Sequence, residues 1–266
     1  MSKIYFTTIL LPVCISSPAA VSVENYKNTN EVTIKVDREI TPEDVVEFNS
    51  LLTSIEKDKK VLHMNAVQLN SRGGSAHAAR VIGMAIREKK LYTYVAPESV
   101  CESACVYILM GGVARYPFGK VGVHRTTFTS DKTVDDSNTE VFVSYDIETT
   151  KTYATSVGMS SSLVDAILNT ESWRMRYLDD KEKRDWQVMG ADRVYEERLF
   201  TSIAKDLNIS REKYINIFRT NYEDCLIDSS KFEKSVYECS KRRKVKTSYW
   251  QFLKAAVSNG WHQYKP

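Results

Sequence analysis

Val61-Leu62-His63-Met64-Asn65-Ala66-Val67-Gln68-Leu69, followed by Asn70-Ser71-Arg72-Gly73-Gly74, is the stretch on which the fold turns. The first nine residues read as a strand, and the glycine pair behind them reads as a turn, because glycine reaches backbone angles closed to other residues. A helical pattern follows from Ala76 through Val81, Ile82, Met84, Ala85 and Ile86. Upstream, Val32, Ile34 and Val36 alternate with polar neighbours, which predicts a strand with one buried face. Thr41-Pro42-Glu43-Asp44 then offers an N-cap, a proline for the first helical position and two acids for the first turn, with Val45, Phe48, Leu52 and Ile55 at helical spacing behind them. Downstream, Leu91 to Val95 predicts a third strand, Ser103 to Gly111 a buried helix and Lys120 to His124 another strand. Strands alternating with helices imply a parallel sheet with right-handed crossovers. Thr126 to Asn138 is polar and turn-rich, a loop or projecting segment. Helical patterns resume over Glu140 to Ser156 and Ser161 to Leu168, and Trp186 to Tyr195 reads as a helix ending in a turn and short strand at Gly190. Beyond Glu196 the texture is helical only, through Tyr214, Ile217 and Phe218 and later Tyr249, Phe252, Leu253 and Val257.

The 266 residues are 42% hydrophobic and 27% charged, which fits a globular chain and excludes global disorder, collagen-like repeats and a polytopic membrane protein. A net charge of +3 is too small for a protein that coats DNA or RNA, so no nucleic-acid partner is expected. Met1 to Lys3 is a basic start, Ile4 to Ile15 is mostly apolar, and Ser16-Ser17-Pro18-Ala19-Ala20 supplies the small residues of a signal-peptidase site. Residues 1–22 are therefore expected to be a secretory signal, and the protein periplasmic or secreted. The apolar run falls short of the ~20 residues that span a bilayer; an uncleaved anchor is the alternative, since no charge follows Lys3 before Glu24. A lipoprotein cut before Cys14 is disfavoured by the bulk of Val13. Cys101, Cys105, Cys225 and Cys239 remain after cleavage, an even number in a compartment that permits disulfides. A bridge between Cys225 and Cys239 would add on the order of 3 kcal/mol by restricting the unfolded chain. Four-cysteine zinc lacks the short paired spacings such sites use, and neither metal nor cofactor is expected.

Three pieces carry chemistry when taken together: Gly73-Gly74 after a strand, Ser103 in Cys101-Glu102-Ser103-Ala104-Cys105 opening an apolar helix, and His124 closing a strand. Singly they are ordinary, being a turn, an N-cap and a structural histidine. In this order, and with Tyr116-Pro117-Phe118-Gly119-Lys120-Val121-Gly122-Val123 leading into His124, the chain resembles the Clp protease proteolytic-subunit branch of the ClpP/crotonase superfamily. It is most similar to exported Clp-like proteins whose serine is flanked by cysteines. The resemblance covers Val32 to Tyr195 and is strongest from Val67 to Arg125. It implies an α/β fold of repeated ββα units with a parallel sheet, the serine at a helix N-terminus and the histidine on the next strand, and peptides or proteins as substrates. Ser103 would be the nucleophile and His124 its base, since a serine hydroxyl is inert until its proton is removed and imidazole titrates near neutrality. Carried over from the family, the oxyanion donors are the N–H groups of Gly73 and of Ala104, with the start of the helix adding positive potential.

Three departures bear on that expectation. Arg72 stands where the family has proline in the glycine loop. Met175, in Met175-Arg176-Tyr177-Leu178-Asp179-Asp180, occupies the position of the acid that orients the histidine, leaving Glu171, Asp165 or Asp179 to reach His124 from elsewhere. Loss of that acid lowers turnover by on the order of 10⁴. Cys101 and Cys105, four residues apart, form either a local bridge or buried thiols, the latter slightly favoured. Lys151 would be the base of a Ser–Lys mechanism, against which His124 argues; His63, His77 and His262 read as structural or surface residues, and coenzyme A chemistry fits poorly with export.

The expected division is a signal over 1–22, a ClpP-like α/β domain over 23–196 and a small all-α appendage over 197–266, with assembly into a homo-oligomer left open. Lys241-Arg242-Arg243-Lys244-Val245-Lys246 is either a solvated segment or a contact for an anionic surface. The expected function is that of an exported ClpP-like serine hydrolase, a peptidase; the alternative is a catalytically weak or inactive scaffold that binds peptides or partner proteins.

Overall fold

The alternation of strands and helices folds into a mostly parallel sheet covered by helices, the α/β class expected. The computed structural model describes residues 20–27, 29–126 and 136–218. β1 (Val21–Asn25) and β2 (Glu31–Val36) form an antiparallel edge hairpin, and α1 (Asp44–Lys57) leads into β3 (Val61–Leu69). α2 (Ala76–Glu88), β4 (Tyr92–Val95), β5 (Val100–Glu102), α3 (Cys105–Gly111), β6 (Ala114–Pro117) and β7 (Lys120–Val123) follow. Next come α4 (Asp136–Ser156), α5 (Ser161–Asn169), β8 (Arg176–Tyr177), α6 (Asp180–Asp185), β9 (Gly190–Ala191), α7 (Arg193–Asp206) and α8 (Arg211–Phe218). Among the described residues the larger sheet has the order β1-β2-β3-β4-β6-β9, parallel from β2 to β6 with an antiparallel strand at each edge. A second sheet, β5-β7-β8, stands apart from it and carries the site.

Phe48, Leu52 and Ile55 of α1, Ile82 and Ile86 of α2 and most of α3 pack with Ile34, Val36, Val67 and Leu69 into one buried cluster. Each large apolar side chain so buried contributes about 1.5–3 kcal/mol. α2 and α3 meet at two glycines: a Cβ on Gly111 would stand 2.1 Å from the Gly83 carbonyl oxygen, so any side chain there would push the helices apart. Period-two alternation puts Val95 in this cluster and Tyr92 in a smaller one with Ala66, Val113 and Ala114. Arg115, 1% exposed, donates to the carbonyls of Gly112, Gln187 and Val157 and so ties β6 to the end of α4 and the approach to β9; burial pushes its pKa down to about 10.

Several local expectations are corrected. Thr33, placed on an open face of β2, is buried, with its hydroxyl on that of Tyr26. α1 begins at Asp44, and Thr41 is not its cap: the Thr41 N–H and hydroxyl both donate to Asp44 Oδ2. α3 begins at Cys105, two residues late, because Ser103 has left-handed backbone (φ +53°) that no helix tolerates. The helix expected from Trp186 lies upstream as α6, which Trp186 closes. β5 and β6, of three and four residues, carry too little alternation to be seen in sequence. β1 opens at Val21, inside the expected signal, because Val21 is buried opposite Val36. α7 runs unbroken through position 196. Cys225, Cys239, Lys241, Arg242, Arg243, Lys244 and His262 lie outside the described residues, as does most of the stretch from Thr126 to Asn138.

Candidate active site

Ser103 sits in the turn between β5 and α3, half-buried, with φ +53°. A β-carbon in that conformation costs about 1–3 kcal/mol and persists only where surroundings enforce it. The enforcement is visible on three sides. The Ser103 N–H donates to the Gly122 carbonyl (2.9 Å), fixing the turn to β7. Cys101 and Cys105 are joined by a disulfide with Cα atoms 5.2 Å apart, so the three residues Glu102-Ser103-Ala104 are enclosed in a small ring; the expectation of free buried thiols is corrected, though both residues are buried. Gly73 packs against the turn: a Cβ there would lie 2.7 Å from Ser103 Cβ, 3.0 Å from the Glu102 oxygen and 3.1 Å from Ala104 N, and its φ is +109°. Only glycine fits this position, on space and on backbone angle.

The glycine loop is held along both edges. On one side Ser71 N–H donates to Val100 O (2.9 Å) and Glu102 N–H to Ser71 O (3.0 Å); on the other, Ile40 N–H donates to Gly73 O (2.8 Å) and Ser75 N–H to Ile40 O (2.7 Å). These bonds supply the stiffness that a proline at Arg72 would have given. Arg72 itself is exposed. Ser71, which carries no signal of its own in the sequence, has a structural part here: its buried hydroxyl donates to the Arg38 carbonyl and accepts the Gly73 N–H (3.1 Å). The two expected oxyanion donors are therefore adjacent but differently placed. Ala104 N–H has no acceptor among the described residues, whereas Gly73 N–H is turned onto Ser71.

The His124 side is built from β7 and β8. Gly122 pairs with Tyr177 and Val123 with Arg176, where the ladder ends; His124 follows its last residue on one strand and Met175 precedes it on the other. Met175 leans over Gly122, its Sδ 2.6 Å from where a Cβ would stand, and Glu102 Cγ approaches the same point at 3.1 Å. The Glu102 carboxylate, 8% exposed, accepts the Tyr177 hydroxyl (2.7 Å), and that bond raises the phenol above its ordinary pKa. His124 Nδ1 is buried with no hydrogen-bond partner, and no bond joins His124 to Ser103 among the described residues. The three candidate acids do not reach it. Asp165 is exposed on α5, Glu171 is exposed, and Asp179 caps α6 in a reciprocal arrangement with Glu182. Lys151 is exposed on α4, His77 is exposed on α2, and His63 bonds Glu31 at 3.0 Å.

No protein-family model and no curated protein matches the chain. Among solved structures it is similar to a mutant ClpP1 from Listeria monocytogenes, at 17% identity and TM-score 0.43, over 59% of this chain and 88% of that one. It is also similar to two mutants of the 1510-N membrane-bound stomatin-specific protease, each 20% identical. One has a TM-score of 0.42 and covers 67% of this chain and 86% of that one. The other, in complex with a substrate peptide, has a TM-score of 0.43 and covers 64% and 78%.

Proposed function

We propose that the chain is an exported serine hydrolase, acting on peptides or proteins with Ser103 as nucleophile and His124 as base. The observation that carries this reading is the backbone of Ser103: a left-handed serine in a strand-to-helix turn, with a glycine loop packed against it and the N–H of the following residue left without an acceptor. In the reaction, Ser103 Oγ attacks the carbonyl carbon as His124 takes its proton. The oxyanion accepts the Ala104 N–H, joined by the Gly73 N–H once that leaves Ser71. Collapse of the intermediate returns the proton to the departing amine, and water then hydrolyses the acyl ester by the same route.

Turnover is expected to be slow. With Nε2 taking the Ser103 proton, Nδ1 carries the other N–H of the imidazolium, and among the described residues buried Nδ1 has no acceptor for it; a buried charged donor without a partner costs at least about 1–3 kcal/mol. The same observation favours a second reading, a scaffold that holds peptides at the glycine loop without cleaving them. Labelling by a fluorophosphonate probe separates the two. The hydrolase reading expects wild type to label and Ser103→Ala not to; wild type that never labels, with peptide capture undiminished in Ser103→Ala, leaves the scaffold. Export rests on the leader sequence and accords with a disulfide around the serine, since such bridges persist in oxidising compartments.

A further inference from the structure

The carboxylate of Asp44 is wholly buried at the start of α1, and among the described residues no cation pairs with it. Its bonds come from neutral donors: the Ala20 N–H to Oδ1 (2.8 Å), and the Thr41 N–H (2.7 Å) and hydroxyl (3.0 Å) to Oδ2. An ionised carboxylate taken out of water needs a counter-charge as well as hydrogen bonds, and the positive end of α1 offsets only part of it. Ala20 is itself 1% exposed; its carbonyl accepts the Asp37 N–H (3.0 Å), and Val21 behind it starts β1. Residue 20 is thus fixed in the core, with its nitrogen aimed at a buried negative charge. In the sequence, Ser17-Pro18-Ala19 sets small residues one and three positions ahead of Ala20, the spacing a signal peptidase reads. A cut one residue later would put Pro18 at the outer of those positions and would remove the group that Asp44 holds.

We infer that signal peptidase hydrolyses the Ala19–Ala20 peptide bond and that the α-ammonium so released on Ala20 becomes the missing counter-ion of Asp44. Water adds across the amide: Ala19 leaves as a carboxylate with the leader, and Ala20 keeps an amine that is protonated at neutral pH, the ordinary α-amino pKa being about 7.7–8.0. The ammonium keeps a hydrogen on Oδ1 and adds a full charge 24 residues away along the chain. Cleavage thereby completes the packing of β1 against α1, and the exported form becomes more stable than its precursor.

The inference rests on the export reading, and the experiment has two arms so that the two can fail separately. In the first, the full chain is expressed with its own leader in a secreting bacterium and its intact mass and N-terminal sequence are read. A mature chain starting at Ala20 is expected. A leader left in place overturns export and this inference together; a cut at any other bond overturns this inference and leaves export standing. In the second, a fusion is cleaved in vitro to give either a free Ala20 amine or a two-residue extension ahead of it, each with Asp44 or Asp44→Asn. The free amine with Asp44 is expected to show a folding equilibrium constant at least about a hundredfold above the two forms that keep only one of the charges, the loss typical of breaking a buried ion pair, while the extended chain with Asp44→Asn, which lacks both, loses less. Should Asp44→Asn fail to fold, N-acetylation of the free-amine chain removes the same charge. A chain as stable extended or acetylated as with its free amine overturns the inference.

Discussion

The two halves of the site are built to different standards. Around Ser103 each degree of freedom is constrained more than once: the backbone by the Gly122 carbonyl, the ring by the Cys101–Cys105 disulfide, the approach of the loop by a glycine that admits no side chain. Around His124, the residue that follows β7, the side chain is less constrained: its buried Nδ1 has no hydrogen-bond partner among the described residues, and Met175, just ahead of β8, leans its thioether over Gly122. The Ser103 half is specified by main-chain geometry, which many residues share in enforcing. The His124 half depends on what stands beside one side chain, so a single substitution there is expected to alter it without disturbing the fold.

The largest effect should come from restoring what is missing. Met175→Asp puts a carboxylate just past the end of the β7–β8 ladder that leads into His124, and the rate of fluorophosphonate labelling should rise by about 10²- to 10⁴-fold. The nearby Glu102 carboxylate repels the new charge and puts the expected gain toward the lower figure. Met175→Leu serves as the control and should change nothing. If Met175→Asp labels at the wild-type rate in a folded protein, the contrast between the halves is wrong and something other than the acid limits the site.

Gly73→Ala attacks the opposite half. Its methyl would sit 2.7 Å from Ser103 Cβ at a φ of +109°, so the loop or the serine must move. Labelling should fall by about 10²- to 10³-fold, the loss associated with one oxyanion donor, and thermal unfolding should show a loss of about 1–3 kcal/mol. Ser71→Ala makes a sharper partner to it, since it frees the Gly73 N–H: faster labelling is expected if that N–H serves the oxyanion, and slower labelling if Ser71 acts only by holding the loop.

These halves also differ in how far they could be read from the sequence. The Gly73-Gly74 turn, the Ser103 helix and the His124 strand were legible because each follows a periodic apolar run, and the main-chain pattern that positions them is local. The substitution of Met175 was legible only as an absence, against the family resemblance. What could not be read is non-local or too short. The β5 and β6 strands have no period to count, and the capture of Gly73 N–H by Ser71 depends on a side-chain rotamer. Asp44 looks from sequence like an ordinary first-turn acid, and only its contact with Ala20, 24 residues away, reveals it as buried. The Cys101–Cys105 bridge is not legible because spacing four suits a helical face as well as a bridge, and only the left-handed Ser103 between them removes the helical option.

Removing that bridge should have an intermediate effect. For so small a loop the chain-entropy term is about 2 kcal/mol, so Cys101→Ala with Cys105→Ala should lower the folding constant by about thirtyfold. Because the ring encloses Ser103, labelling should slow as well, and dithiothreitol should reproduce the slowing in wild type. A reduced protein that labels as fast as the oxidised one would show that Gly73 and Gly122 alone hold Ser103.

The smallest change tests whether the halves communicate. Tyr177 lies in register with Gly122, bonds Glu102 next to Ser103 and follows Met175 by two residues, so its hydroxyl is a side-chain link between the two sides, beside the main-chain bond from Ser103 to Gly122. The ring is about half exposed, which weakens the bond through solvent, and Tyr177→Phe should lower stability by only about 0.5–1 kcal/mol. Its informative readout lies elsewhere. If the halves are independent, labelling in Tyr177→Phe matches wild type, and the gain from Met175→Asp is the same with or without the hydroxyl. If Glu102, released from Tyr177, turns toward His124, Tyr177→Phe speeds labelling by itself and shrinks the gain from Met175→Asp, because one carboxylate has then partly replaced the other. A double-mutant cycle over Tyr177 and Met175 distinguishes these outcomes whatever the size of either single effect.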